Sequence, residues 1–188
     1  MQCHNFYVLT GGPGVGKTSL INELQRRSYP VVPEIARELI KEQEQAGGLA
    51  LPWKDRESYK ELMFERSLNS FKQAAKHFSG KQAVFFDRGF IDSLAYAHLI
   101  QSTQTDHLEE AAQRFRYHPS VFILPPWPEI YTQDQERKQN WEEVVATHQQ
   151  MVETYEQAGY QLIEVPRIAV SERADFILKQ VCNGQAKR

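Results

Sequence analysis

The sequence predicts an α/β fold built on a parallel, doubly wound sheet. Five short runs of Val, Ile, Phe and Leu are mostly unbroken, which is typical of strands buried on both faces. Helical patterns lie between them, and this alternation favours parallel strands joined by crossover helices. Charge or proline directly follows four of the runs. Because ligands of such sheets bind at the carboxyl ends of the strands, these positions are the first candidates for a functional site.

The elements follow in a regular order. The predicted strands are Asn5–Thr10, Tyr29–Val32, Ala83–Asp87, Ser120–Leu124 and Gln161–Val165. The predicted helices are one opening at Ser19, a long one over Tyr59–Phe78, a short one over Leu108–Phe115, one from Trp141 that Gly159 ends, and one from Ser171 to Cys182. Their apolar stripes indicate core packing rather than cofactor binding.

Length and composition narrow the function classes. The 188 residues suit one domain, which we place at 1–183 with a flexible polar tail at 184–188. A net charge of −2 gives no basic field for nucleic acid, and no apolar stretch approaches the roughly 18 residues of a membrane span. The start at Met1 lacks the charged region of a signal peptide. Two cysteines without a C-x-x-C pair suit a reducing, cytoplasmic location.

A glycine-rich segment, GGPGVGKTS, directly follows the first strand. It fits the pattern G-x-x-x-x-G-K-[ST], in which backbone N–H groups and a helix N-terminus surround a phosphate. The lysine places a cation on the terminal phosphates and the threonine hydroxyl can ligate Mg²⁺. A turn without function is disfavoured because a strand precedes and a helix follows. The predicted nucleotide-binding residues are Gly11, Gly12, Pro13, Gly14, Val15, Gly16, Lys17, Thr18 and, as an ordinary residue of the helix, Ser19.

The third strand ends in Asp87-Arg88. An acid at a strand end facing the phosphate loop is the Walker B arrangement, which holds Mg²⁺ directly or through water. Asp87 is therefore the second predicted metal ligand beside Thr18, although it also stands where it can cap the helix near Phe90. Arg88 would place a guanidinium beside the transferring phosphate or the acceptor; the alternative is a surface salt bridge. Asp92 is interpreted as a polar residue on the side of that helix.

Glu34 follows the second strand, and Arg37 lies one helical turn later on the same face. Transfer of a phosphoryl group to an alcohol needs a base or an orienting carboxylate near the hydroxyl, a role that Glu34 can fill. Arg37 can pair with Glu34 or bind an anionic group of the acceptor. The alternative for both residues is an exposed ion pair on a helix.

The stretch 125–140 after the fourth strand is long, polar and proline-led, and we predict a mobile lid there. A lid excludes water and brings cations to the γ-phosphate. Arg137 is the predicted catalytic arginine and Lys138 an additional nucleotide contact; the alternative is an ordinary surface turn. Arg167, in the loop after the fifth strand, is a predicted contact of the nucleotide base.

These blocks together resemble the small bacterial P-loop "AAA-type ATPase" proteins, a group that also takes in the ribosylnicotinamide kinase domain. The likeness rests on residues 11–18, on PEIARE at 33–38, on FDRG at 86–89 and on PPW at 125–127 with DQER at 134–137. It implies a three-layer P-loop NTPase fold of the nucleotide-kinase type, strand order 2-3-1-4-5, and binding of ATP or GTP with Mg²⁺. The second-region motif and helical lid domain of ring-forming AAA+ motors are not found in the sequence.

The Asp87-Arg88 pair also resembles deoxynucleoside and thymidylate kinases, in which a glutamate after the second strand acts on the acceptor hydroxyl. That likeness implies the base role for Glu34 with Arg88 beside it, although this chain has Pro33-Glu34 where those kinases have Glu-Pro. The predicted function is a small-molecule kinase that transfers the γ-phosphoryl group to a nucleoside-like acceptor or to another acceptor with a hydroxyl or phosphate group. The alternative is a nucleotide-dependent switch or NTPase that acts on a protein or lipid.

Overall fold

A five-stranded parallel sheet forms the centre of the protein, with strand order β2-β3-β1-β4-β5. The structure, a computed structural model, describes residues 1–78, 80, 82–131 and 140–186. The strands are β1 (Phe6–Gly11), β2 (Val31–Val32), β3 (Val84–Asp87), β4 (Ser120–Leu124) and β5 (Gln161–Glu164). Every strand pair is parallel, so the predicted α/β class and the strand order are confirmed.

Helices connect successive strands. They are α1 (Lys17–Arg26), α2 (Ile35–Gln45), α3 (Arg56–His77), α4 (Phe90–Leu99), α5 (Asp106–Arg114), α6 (Trp141–Gln157) and α7 (Val170–Ala186), with a 3₁₀ turn at Pro128–Ile130. α7 extends into the stretch 184–188 that the sequence predicts as a tail, because one glycine inside a helix costs only about 1 kcal/mol. Within the described ranges, no helix combines the length and apolarity that crossing a membrane requires.

The sheet lies between two helical layers. Side chains of β1 alternate between them: Phe6 and Val8 enter a buried cluster with α3, α4 and α5, whereas Tyr7 and Leu9 enter another with α1 and α7. All four side chains are at most 1% exposed. The two clusters make the protein a three-layer α/β/α domain.

Burial differs between the central and the edge strands. β1, β3 and β4 are almost wholly buried, as unbroken apolar runs predict. The edge strand β5 exposes Gln161 and Glu164, and the other edge, β2, has only two half-buried residues. The prediction of burial on both faces was therefore wrong for the edges, where a strand has a neighbour on one side only.

The strand register places the carboxyl ends of β1, β2 and β3 side by side, at the end of the sheet where the predicted functional segments begin. Leu9 of β1 is paired with Asp87 of β3, and Val32 of β2 is paired with Phe86. The glycine-rich loop, the start of α2 and the turn after β3 therefore leave the sheet side by side. Parallel strands present all their carboxyl ends at the same edge, so this convergence follows from the topology.

Candidate active site

The glycine-rich loop joins β1 directly to α1. Gly11 has φ of +146°, and a Cβ there would lie 2.6 Å from the backbone oxygen of Leu124 on β4. Only glycine therefore fits where the loop leaves the sheet. Gly16 has φ of +77°, and α1 begins at the next residue. Gly14 lies under the ring of Tyr131, whose Cδ2 would be 2.5 Å from an added Cβ.

Lys17 points its ammonium group at two carboxylates. Its Nζ forms an ion pair with Asp87 Oδ1 and lies 3.6 Å from Glu34 Oε2. The three side chains are only 7%, 11% and 13% exposed. The next residues of α1, Thr18 and Ser19, are exposed at the same helix end. The loop lysine is thus partly dehydrated and held by the acids that end β3 and precede α2.

Glu34 stands at the N-cap position of α2, between three basic side chains. Arg88 Nε donates to Glu34 Oε1 at 2.8 Å, and Arg37 Nε lies 3.5 Å from Oε2. Burial would raise the pKa of Glu34, but the charges of Arg88, Lys17 and Arg37 together lower it from 4.5 to about 2. Glu34 is therefore an ionised hydrogen-bond acceptor at neutral pH. The expected pair with Arg37 exists, with the Arg37 side chain 44% exposed, but the Glu34 side chain is only 13% exposed.

Arg88 adopts a left-handed backbone conformation, φ +70°, which is uncommon for a residue other than glycine. Such conformations cost about 1–3 kcal/mol and cluster at functional sites. The strained turn lets Arg88 N donate to Leu9 O while the guanidinium contacts Glu34 and Asp92. Its side chain is 18% exposed, so the alternative of a surface salt bridge does not describe this contact.

Asp92 is a buried acceptor of several hydrogen bonds rather than the helix-side polar residue that the sequence predicts. It is 6% exposed and accepts four hydrogen bonds. The donors are Thr10 Oγ1 (2.5 Å), Tyr155 Oη (2.6 Å), Gly89 N (2.8 Å) and Arg88 Nη1 (3.1 Å). Its i,i+4 spacing from Arg88 is the one sequence signal for this role. Three of these donors come from β1, the β3–α4 turn and α6, so Asp92 fixes Arg88 against the sheet.

The oxygen ligands in the site suit Mg²⁺. Asp92 accepts from Gly89 N at the start of α4, while Asp87 pairs with Lys17, so Asp87 is not the cap of that helix. Its carboxylate and the exposed Thr18 hydroxyl are hard oxygen ligands at the same loop. The described residues contain no cluster of three or more His, Cys, Asp or Glu that could hold a metal. A metal bound through one or two protein oxygens, water and phosphate needs no such cluster.

A narrow pocket opens behind Glu34 and Arg88, between α2, α3 and α4. Its walls include Ala36, Met63, Ser67, Ser70, Arg88 and Ser93. The free volume of about 20 Å³ holds roughly one water molecule. Ser93 is 1% exposed, and within the described ranges its hydroxyl has no hydrogen-bond partner. The pocket lining therefore combines the Arg88 side chain, serine hydroxyl groups and apolar side chains.

The remaining predicted residues lie elsewhere. Arg167, after β5, is exposed and donates from Nε to Pro126 O at 3.0 Å, which ties the β5 loop to the segment after β4. Arg137 and Lys138 lie outside the described residues, as does half of the predicted lid at 125–140. The structure thus brings Lys17, Glu34, Arg37, Asp87 and Arg88 into one cluster.

Comparison with solved structures shows the same fold in several kinases. Deoxyadenosine kinase from M. mycoides with bound dATP has a TM-score of 0.62 at 16% identity, over 95% of this chain and 100% of that one. Shikimate kinase from Acinetobacter baumannii in complex with shikimate has a TM-score of 0.53 at 15% identity, over 95% and 93%. Identities this low show the fold alone.

The NadR protein in complex with NR has a TM-score of 0.75 at 16% identity. The match covers 95% of this chain and 52% of NadR, so the chain spans about half the length of that protein. A search of curated proteins returns no match. A family model described as an AAA domain matches residues 6–173. With most of the chain matched, and with the P-loop and sheet order in place, the protein belongs to this AAA-domain family of P-loop proteins.

Proposed function

We propose that this protein is a kinase that transfers the γ-phosphoryl group of ATP or GTP to a small, nucleoside-like acceptor through a hydroxyl or phosphate group. One observation carries the proposal: Glu34 contacts both the P-loop lysine and Arg88, and Arg88 also lines the small pocket between α2, α3 and α4. Phosphoryl transfer needs positioning and charge stabilisation more than covalent chemistry from the protein, and this site supplies both. The fold shared with nucleoside and shikimate kinases supports the same reaction class.

On the donor side, the amides of residues 11–16 and the N-terminus of α1 bind the phosphates. Lys17 leaves Asp87 and Glu34 and contacts the terminal phosphates. Asp87 and Thr18 would hold Mg²⁺, which neutralises charge on the phosphate oxygens when bound. Freed from Lys17, Asp87 has its carboxylate available for that role.

On the acceptor side, Glu34 accepts a hydrogen bond from the reacting hydroxyl and orients it toward the γ-phosphate. Lys17 is one of the three charges that lower the pKa of Glu34, so its departure to the phosphates makes Glu34 a stronger base. Arg88 stabilises negative charge between donor and acceptor, and the more exposed Arg37 binds an anionic group of the acceptor. The base role is therefore coupled to nucleotide binding.

The proposal also includes residues outside the cluster around Glu34, in segment 125–140 and in the loop after β5. Segment 125–140 acts as the lid, with Arg137 and Lys138 on the phosphates, and Arg167 contacts the nucleotide base. The two cysteines, Cys3 and Cys182, are free thiols, which fits a kinase of the cytoplasm.

A ligand screen tests the proposal. Nucleosides, vitamins and sugars are added to the protein with AMP-PNP or GMP-PNP and Mg²⁺, and the unfolding temperature is measured. A true acceptor adds stability as RT ln(1 + [L]/Kd), and the hit is then assayed with ATP for a phosphorylated product. If hydrolysis proceeds at the same rate whichever acceptor is supplied, the alternative of an NTPase switch for a protein or lipid partner is favoured instead.

A further inference from the structure

Arg173, on the first turns of α7, is a buried cation beside the P-loop. Its residue exposure is 4%, and its Nη1 would lie 2.9 Å from a Cβ added to Gly16. The ring of Trp127 lies 5.4 Å from the guanidinium carbon, and Ile130 of the 3₁₀ turn approaches the same glycine, with its Cδ1 3.2 Å from that added Cβ. The sequence gives Arg173 no role, because it lies outside every motif.

Among the residues that the structure describes, none balances the charge of Arg173. Its one hydrogen bond in the described ranges is long, from Nη1 to Gly16 O at 3.5 Å, and Nε has no partner there. No carboxylate of the described residues lies within ion-pair distance of it, and burial lowers its pKa. A charge buried without a partner costs several kcal/mol. Its place near the N-terminus of α7 adds to that cost, because the helix dipole there is positive.

Arg27, a second arginine that packs against α7, shows how an arginine at this helix is usually paired. Arg27 Nη1 donates to Asp175 of α7 at 2.5 Å, and Nη2 donates to Ser171 Oγ at 2.9 Å. Glu23 on α1 accepts from Nε of the same guanidinium. Arg27 is therefore a structural arginine with a full set of partners, and Arg173 is not.

We propose that Arg173 is a nucleotide-binding residue whose guanidinium donates to a phosphate oxygen of the triphosphate held by the P-loop. This inference rests on the proposed nucleotide binding and adds a residue of α7 to it. A phosphate is the anion that this loop is built to hold, and guanidinium is well suited to binding it through two parallel hydrogen bonds. The ligand supplies the missing counter-charge, so the cost of burial is relieved only in the complex.

The test compares wild type with R173M, R173K and the control R27M. Isothermal titration calorimetry with Mg²⁺ measures binding of inorganic tripolyphosphate and of AMP-PNP or GMP-PNP, and thermal unfolding is recorded without ligand. We expect R173M to weaken both tripolyphosphate and nucleotide binding about tenfold or more, and R173K to weaken them less. R173M should also raise the ligand-free unfolding temperature by about 2 °C, because it removes an unpaired buried charge.

For the control variant R27M we expect the opposite change in unfolding temperature and no loss of tripolyphosphate affinity. R27M removes the ion pair with Asp175 and one of the two arginines that pair with Glu23, which Arg26 still holds, so it should lower the unfolding temperature and leave tripolyphosphate affinity unchanged. The inference is overturned if R173M binds tripolyphosphate with an affinity within twofold of wild type. This holds also if R173M binds only the nucleotide more weakly, because the guanidinium would then contact the base or ribose and not a phosphate. A lower ligand-free unfolding temperature in R173M also overturns it. Wild type that binds neither tripolyphosphate nor nucleotide refutes the proposed function itself.

Discussion

Arg88 Nε and Glu34 Oε1 are 2.8 Å apart, although 54 residues separate them in the sequence. The contact joins the turn after β3 to the start of α2, and Lys17 of the P-loop reaches the same carboxylate. Glu34 therefore contacts both the P-loop and the turn after β3. Its substitution is the most informative single change in the protein.

We expect Glu34→Gln to abolish phosphoryl transfer to the acceptor while leaving nucleotide affinity within about threefold of wild type. The amide still accepts one hydrogen bond but carries no charge with which to take up a proton. Product formation by mass spectrometry and AMP-PNP binding by calorimetry measure the two effects. Glu38→Gln, an exposed change on the same helix, should behave like wild type. Unchanged transfer in Glu34→Gln would contradict the kinase assignment.

Glu34 also makes stability depend on pH in a defined direction. Its pKa is about 2 in the folded protein, whereas an unperturbed glutamate, as in the unfolded chain, has a pKa of 4.5. As the pH falls, the unfolded chain therefore takes up a proton first. The stabilisation is complete above pH 4.5 and is lost as the pH falls toward 2; a shift of this size corresponds to about 3 kcal/mol. In urea unfolding, the free-energy gap between wild type and Glu34→Gln should shrink by about that amount between pH 5 and pH 2.

Asp92 is predicted to position Arg88 rather than to touch the substrates. In Asp92→Asn an amide NH₂ faces donors on either side, which should cost about 3 kcal/mol of unfolding free energy and lower kcat. Tyr155→Phe removes one donor to Oδ2 and leaves the Arg88 contact in place. It should cost about 1 kcal/mol and leave kcat near the wild-type value. Equal kcat values in the two variants would assign Asp92 a purely structural role.

Most of the fold and part of the site are predictable from the sequence. The strands are unbroken apolar runs with charge or proline after them, and the parallel topology brings Lys17, Glu34, Asp87 and Arg88 together without any knowledge of side-chain contacts. Asp92 and Arg173 are not predictable in this way. Each lies within a helix, and its role depends on groups from other elements: Thr10 and Tyr155 for Asp92, and Gly16 and Trp127 for Arg173.

Lys17→Ala tests the donor side. Removing the ammonium group should weaken triphosphate binding at least about tenfold, because a charged hydrogen-bond donor to phosphate is lost. It also leaves Asp87 without its ion pair, so the ligand-free protein should unfold at a lower temperature. Lys41→Ala on α2 is the control and should leave triphosphate affinity unchanged. Full affinity in Lys17→Ala would place the phosphates away from the loop.

Ser93→Ala tests whether the pocket beside Arg88, whose free volume is about 20 Å³, widens to bind a polar group of the acceptor. The Ser93 hydroxyl is buried and, in the described part of the chain, makes no hydrogen bond, so its removal should change the unfolding free energy by less than about 1 kcal/mol. If the hydroxyl binds a polar group of the acceptor, KM for the acceptor should rise about tenfold with kcat nearly unchanged, as expected when one hydrogen bond to the substrate is lost.

Ser102→Ala is the matched control, because that hydroxyl forms hydrogen bonds with Lys60 and Glu57 away from the pocket. It should lower stability and leave KM unchanged. A normal acceptor KM in Ser93→Ala would mean that the acceptor enters the site from the exposed side of Arg37, and the serine-lined pocket would then lose its assigned role.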